Sequence, residues 1–330
     1  MRIALYKDTL ANNRGADVAV RNLVAGLSER GHEAILFEKP ELQKRLREGW
    51  DVLISAGTNE LLDLVGAGVP LPPLVQQFQT EPSYPFRHWL RRWRRNRAIK
   101  AALRRVTAIQ VLLPGHVDWI RANIKGLADC PVTVIGNWGA AAVPVASSDD
   151  VERLIICPGA INPDKNQRLL VRSFLLLADE FPDWSLDLYG TGQPREEERI
   201  RRLVAAGPLR PDGSRAVRLR GFCDLREAYA KCAFVAFPSR TEGFPLAVIE
   251  AAMFGKPAVM TRDWIGTAAA HGGVVAGSDV SAYAAALRRL MSDPALCRQM
   301  GAAARRHCED SYSRAKILDQ WEALLQSVVK

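Results

Sequence analysis

No apolar run in the 330-residue sequence approaches the roughly 20 residues that span a bilayer as a helix. The first residues, Met1-Arg2-Ile3-Ala4-Leu5-Tyr6, pass straight into a strand-like run, without the apolar segment and small-residue cleavage site of a signal peptide. A cytoplasmic protein is therefore expected, with any membrane contact peripheral. Cys130, Cys157, Cys223, Cys232, Cys297 and Cys308 form no C-x-x-C pair and have no histidine at zinc-like spacing, so reduced and mostly buried thiols are expected. No Asp-x-Asp pair occurs, and neither a metal ion nor a cofactor is required by what the sequence contains. Acid is missing altogether from residues 82–117, where nine arginines and lysines account for the whole net charge of +9. The remainder of the chain is formally neutral, and its 48% hydrophobic and 25% charged residues suit two ordinary globular domains.

Strand-like and helical runs alternate twice over, the pattern of parallel sheets built from βαβ units. Strands are expected at residues 3–5, 34–37, 51–55, 74–78, 108–113 and 132–135, with a helix over 16–30. Residues 140–150 are small, polar and proline-containing, which reads as a linker. A second series of strands follows at 154–157, 185–189, 217–219, 234–238 and 258–260, with helices over 165–180, 194–206, 225–231 and 247–254. The pattern predicts an α/β chain of two doubly wound, Rossmann-like domains, residues 1–145 and 151–312, facing each other across a cleft. A last amphipathic helix, 313–330, would cross back to the first domain. In such sheets ligands bind outside the carboxyl ends of the strands.

The most informative segment begins with an apolar strand, Phe234-Val235-Ala236-Phe237-Pro238, and continues through the loop Ser239-Arg240-Thr241-Glu242-Gly243-Phe244 into a helix stopped by Gly255. A strand, loop and helix in this order offer N–H groups and a positive dipole end to a diphosphate. Glu250 falls in an otherwise apolar run, Ala247-Val248-Ile249-Glu250-Ala251-Ala252-Met253-Phe254, where an uncompensated carboxylate would be costly. The vicinal hydroxyls of a ribose would satisfy it; the plain alternative is a glutamate on a helix surface.

The frame Pro238-Ser239-x-x-Glu242-Gly243-Phe244-Pro245-Leu246-x-x-x-Glu250-Ala251, followed by Gly255-Lys256-Pro257, resembles the E-x7-E region of glycosyltransferase family 4, retaining enzymes of the GT-B fold. The resemblance implies that Glu242 contacts the donor sugar, that the backbone of Gly243, Phe244, Pro245 and Leu246 holds the diphosphate, and that Glu250 takes the ribose hydroxyls. Pro158-Gly159-Ala160-Ile161-Asn162-Pro163-Asp164-Lys165-Asn166 is similar to the family's G-R-L-x-x-x-K-N loop, with Lys165 kept and Ala160 where arginine is usual. Lys165 and Glu242 would be catalytic, with Arg240 or Arg262 standing in for the missing guanidinium. Gly190-Thr191-Gly192 resembles the family's G-x-G turn, Gly221-Phe222 its base-lining loop, and Arg14-Gly15-Ala16-Asp17 the glycine loop facing the diphosphate. Gly15, Gly159, Gly221 and Phe222 are thus donor-binding by resemblance. Where many relatives carry a histidine, this chain has Gln77 and Gln79, which hydrogen-bond a sugar but are no base. His32, in a Gly-His-Glu turn, is expected to be structural.

The implied activity is transfer of a hexose, with retention and without a metal, from a UDP- or GDP-type sugar to an acceptor hydroxyl. In the basic segment, Phe86, Trp89, Leu90 and Trp93 recur at helical spacing between arginines, including Arg91 and Arg92, with His88 nearby. That stripe suits an anionic membrane surface, and with it a lipid-linked or lipopolysaccharide-type acceptor. The alternatives are a core-packed helix with a solvated arginine face, or nucleic acid, which no accompanying module supports. Two other functional readings stay open at this point: a nucleotide-sugar epimerase of related fold, and a non-catalytic protein that binds sugar nucleotides or membranes.

Overall fold

Short runs of valine, isoleucine and leucine form strands that are buried along their length, as in Val52–Ser55, which is what a parallel sheet covered on both faces requires. The computed structural model describes residues 1–10, 15–86, 89–139, 151–210 and 213–329. The chain divides into two compact units, Met1–Trp138 with Arg314–Lys330, and Gly139–Ser313. The linker expected at 140–150 lies outside the described residues.

In the first unit the strands are β1 (Arg2–Tyr6), β2 (Glu33–Phe37), β3 (Val52–Ser55), β4 (Leu74–Gln77), β5 (Ala108–Val111) and β6 (Val132–Val134). They form one sheet in the order β2-β1-β3-β4-β5-β6, with parallel pairing. Its helices are α1 (Gly15–Glu29), α2 (Leu42–Arg45), α3 (Thr58–Gly66), α4 (Trp89–Leu103) and α5 (Pro114–Asn123). One face of the sheet packs Ala4, Tyr6, Leu53, Leu74 and Ile109 against Leu61, Leu64, Ile99 and Leu103 of α3 and α4.

In the second unit the strands are β7 (Leu154–Pro158), β8 (Ser185–Tyr189), β9 (Val217–Gly221), β10 (Phe234–Phe237), β11 (Ala258–Met260) and β12 (Gly273–Val275). Their order is β12-β11-β10-β7-β8-β9, again parallel. The helices are α6 (Gln167–Leu175), α7 (Pro194–Ala206), α8 (Arg226–Lys231), α9 (Leu246–Met253), α10 (Val280–Met291) and α11 (Pro294–Tyr312). Counted within the unit, the strands run 3-2-1-4-5-6, the dinucleotide-fold order whose switch point lies between strands 1 and 4, here β7 and β10.

The last helix, α12 (Arg314–Val329), belongs to the first unit and buries Ile317, Leu318, Trp321 and Leu325. Arg30 reaches both Asp319 and Glu322 at 2.6 Å, and His32 Nε2 meets Glu322 at 2.9 Å, so His32 helps to hold this helix. All six cysteines are free, four of them buried. Among the described residues no helix is long and apolar enough to cross a membrane.

The structure adds α3, α5 and β12, which the periodicity did not reveal, and shortens the helix expected at 165–180. That helix begins only at Gln167, because Asn166 takes a left-handed backbone, φ 54°, that no helix interior accepts.

Candidate functional site

The loops that leave the carboxyl ends of β7 and β10 meet at the switch point of the second unit. Lys165, on the first loop, places its Nζ 2.6 and 2.7 Å from the two carboxylate oxygens of Glu242, on the second. The Glu242 side chain is 7% exposed and that of Lys165 25%. Phe237, the last residue of β10, lies beneath the ammonium with its ring centre 5.5 Å away. The loops are tied together by the Arg240 N–H, which donates to the Asp164 carbonyl at 2.7 Å, and the Lys165 N–H donates to Asn162 Oδ1 at 3.0 Å. The two residues singled out for chemistry are therefore in direct contact, although 77 positions separate them. Lys165 stands in the loop before α6 and not at the helix start expected of it.

Glu250 sits in the second turn of α9, half-buried, and its Oε2 accepts a hydrogen bond from the Tyr229 hydroxyl at 3.0 Å. Burial lifts its pKa above the usual carboxylate range, and the Tyr229 hydrogen bond pulls it partly back. Burial, together with the Glu250 charge, pushes the Tyr229 phenol well up. A ligand is thus not the sole means of compensating Glu250, as the sequence suggested: a tyrosine 21 positions upstream already does part of it. Nothing in the spacing marked Tyr229, which belongs to a different helix, α8.

The backbone donors expected over residues 243–246 are fewer than four. Pro245 has no N–H, and the Leu246 N–H donates to the Phe244 carbonyl at 3.0 Å. Gly243 and Phe244 are the remaining candidates. The Phe244 ring is buried edge-on against Tyr312, 5.5 Å between centres, and so serves packing.

Gly159 and Gly221 both carry positive φ, 138° and 71°. In the G-x-G turn after β8, a Cβ on Gly190 would collide with the Gly159 carbonyl and one on Gly192 with that of Ile161. These glycines let the turn pack directly on the Lys165 loop, which explains them without a ligand. Phe222 is 73% exposed beside Gly221. Behind it, the buried Asp187 accepts from Arg218 at 2.6 Å and Arg220 at 2.8 Å, a triad the sequence reading did not identify. Ala160 leaves the loop without a guanidinium, and its carbonyl accepts from Gln167 Nε2 at 3.0 Å. Arg240 and Arg262 are exposed and form no ion pair among the described residues.

In the first unit, Gly15 begins α1 and is exposed, while Arg14 lies outside the described residues. Gln79 Oε1 accepts from Asn137 Nδ2 at 3.2 Å, and its Nε2 is buried without a partner among the described residues. His116, in the first turn of α5, is 7% exposed, and its Nδ1 has no partner among the described residues. Burial lowers its pKa, against the opposing charge of Glu81. A titratable imidazole thus stands close to the end of the strand from which the expected histidine is missing. It comes from the neighbouring strand's loop, where the sequence pattern gave no reason to look.

The basic stripe is divided. Phe86 is in a separate 3-10 turn and packs on Trp119, 5.5 Å between ring centres, with Lys100 Nζ over its ring. It does not continue the helical face as expected, because it lies in this turn and not in α4. The helix enters the core through Asn96, Ile99, Ala102 and Leu103. Trp93 is 47% exposed, with the Arg97 guanidinium 5.2 Å from its ring centre. Arg95 donates to Asn59, Lys100 to the Asn123 carbonyl and Arg104 to the Lys125 carbonyl, so part of the charge serves the fold. His88 lies outside the described residues, as do the side chains of Trp89, Arg91 and Arg92.

Comparison with known proteins agrees with this fold. The family model of glycosyl transferases group 1 matches residues 152–293, most of the second unit. An uncharacterized glycosyltransferase of Haemophilus influenzae is 29% identical over 178 residues, 52% of this chain and 49% of that protein, so the match spans about half of its length. The lipopolysaccharide core biosynthesis mannosyltransferase LpcC of Rhizobium leguminosarum bv. viciae is 27% identical over 64% of this chain and 65% of its own. Among solved structures, Anabaena Alr3699/HepE in complex with UDP-glucose superposes over 98% of this chain and 99% of that one, with a TM-score of 0.81 at 16% identity. Two six-stranded parallel sheets, the second in dinucleotide-fold order with Lys165 and Glu242 at its switch point, give this chain the GT-B fold, and residues 152–293 of the second unit are a glycosyl transferases group 1 domain.

Proposed function

We propose that this protein is a retaining glycosyltransferase that moves a hexose from a nucleoside-diphosphate sugar to an acceptor hydroxyl. The Lys165–Glu242 contact at the switch point carries the proposal, since it sets a cation and a carboxylate where a ligand of this fold binds. In this reading Lys165 and the N–H groups of Gly243 and Phe244 take the diphosphate, Glu242 a hydroxyl of the donor sugar, and Glu250 the ribose. The bond between the anomeric carbon and the diphosphate oxygen breaks, its electron pair staying with the diphosphate. The acceptor oxygen bonds to the same face of that carbon, and its proton passes to a phosphate oxygen. Fixed positive groups stabilise the charge that develops on the leaving group. The UDP-glucose held by the Anabaena protein supports a donor of this kind. A thermal-shift panel of UDP, GDP, ADP and their sugars tests the proposal. One nucleotide series is expected to stabilise the protein by about 2.7 kcal/mol at a hundredfold excess over its Kd; no shift with any would contradict it.

The acceptor is proposed to be a glycan or lipid-linked molecule at an anionic membrane surface. The exposed Trp93 with Arg97 stacked on it, and the exposed Arg94, favour this reading, and the Rhizobium relative is named for lipopolysaccharide core synthesis. In vesicle flotation, recovery is expected to be several-fold higher with anionic than with neutral lipid and to fall in Arg94→Glu/Arg97→Glu. Equal recovery on both lipids would reject it.

A further inference from the structure

The second unit contains a cavity of about 480 Å³ remote from Lys165 and Glu242. Its lining includes Arg153, Trp184, Ala233 and Lys256, which lie at or just before the starts of β7, β8, β10 and β11. The cavity therefore opens at the amino edge of the parallel sheet, whereas the Lys165 and Glu242 loops leave its carboxyl edge. A five-residue strand such as β7 separates the two edges by roughly 16 Å. The opposite wall is one face of α11.

The lining combines two chemistries. Trp184, Ala233 and Leu290 make it apolar, and a cavity of this size is within the roughly 300–1,000 Å³ range of small-molecule sites. Set into it is Lys256, 4% exposed, which forms no ion pair with any described acid. The buried thiols of Cys232 and Cys297 lie near it, and burial pushes both up to about 12, so neither supplies a counter-charge. A buried ammonium without a counter-charge costs several kcal/mol. Arg298 and Arg306 on α11 add positive charge at the exposed side of the same cavity, where Arg153 and Glu152 carry opposite charges and Arg305 pairs with Glu309 at 2.8 Å.

We propose that this cavity is a binding site for an amphipathic anion, an apolar chain ending in a carboxylate or a phosphate ester, whose head group pairs with Lys256 and whose chain lies along Trp184 and Leu290. The site is separate from the donor site, so nucleotide and amphiphile bind together without competing.

Calorimetric titration of the whole protein with decanoate, decyl phosphate, decanol and inorganic phosphate tests this. Saturable one-to-one binding of at least one decyl anion is expected, about tenfold or more tighter than decanol, with no binding of phosphate alone. Whichever anion binds more tightly names the head group. Lys256→Met, which removes a buried charge and keeps the side-chain length, is expected to weaken the anion tenfold or more and leave decanol unchanged. Ala302→Trp, at an exposed α11 position lining the cavity, is expected to abolish binding of anion and alcohol alike. Equal affinity for decyl anions and decanol, unaltered anion binding in Lys256→Met, or no saturable binding would each overturn the proposal.

Discussion

Glu250→Gln is expected to make the protein more heat-stable while weakening its hold on a nucleotide. The ordinary glutamate pKa is 4.5, and burial raises that of Glu250 in the folded chain. Between those two values the folded protein keeps a proton that the unfolded chain has lost. Stability from this carboxyl is therefore complete below the unfolded value and is lost as pH rises through the folded one. Above its folded pKa the ionised, half-buried group is a net cost that glutamine removes. The Tyr229 hydroxyl still finds an amide oxygen to donate to. A gain of about 1–2 kcal/mol corresponds to roughly 2–8 °C for a unit of this size. It should be greatest above neutrality and vanish near pH 4, which differential scanning calorimetry across pH checks.

The same substitution should cost affinity. Hydrogen bonds to a charged acceptor contribute about 1.5–3 kcal/mol, so the Kd of the preferred nucleoside diphosphate is expected to rise roughly 10- to 100-fold. The loss should disappear when the nucleotide lacks its 2′ and 3′ hydroxyls, because the cycle of variant and ligand isolates that one contact. An equal loss with the dideoxy nucleotide would move Glu250 out of the ribose site and into the packing of α8 against α9.

The fold could be read from the chain largely because parallel sheets bury their strands on both faces, so that β3 and β7 appear as short apolar runs. Other elements carry weaker signals. β12 is only Gly273–Val275, and its last residue is exposed. α5 opens with Pro114-Gly115-His116, which reads as a turn until Pro114 is recognised at the first helical position. At the site, Glu242 and Glu250 were legible because they share one loop and helix. Tyr229 and the Asp187 triad were not, since each acts through a partner on another element and no local pattern announces such a contact. Phe86 shows the opposite error: helical spacing counts positions correctly across a boundary where the helix has not yet begun.

Lys165 and Glu242 carry the chemistry in this proposal, and their contact governs how variants should behave. Without a ligand each neutralises the other in a largely dry setting, and removing one leaves the other's charge uncompensated. Single substitutions therefore need isosteric partners: Lys165→Met keeps the chain over Phe237, and Glu242→Gln keeps an acceptor and the size of the carboxylate. If Lys165 stabilises the diphosphate as it leaves, its loss removes an interaction that strengthens in the transition state, a class of change that lowers kcat about 10²–10³-fold. If Glu242 orients the sugar next to the reacting carbon, Glu242→Gln should lower kcat more than it raises the Kd of the free nucleotide, which has no sugar to orient. Because the two groups touch, the double variant should lose less than the product of the single losses. The most direct measurement is nucleotide release from the sugar donor that the thermal-shift panel selects, compared between the unaltered protein, Lys165→Met and Glu242→Gln, with folding checked by calorimetry. Release falling a hundredfold or more in both folded variants, with nucleotide Kd changed by only a few-fold in Glu242→Gln, is the predicted result; unchanged release in both would contradict the assignment of this site.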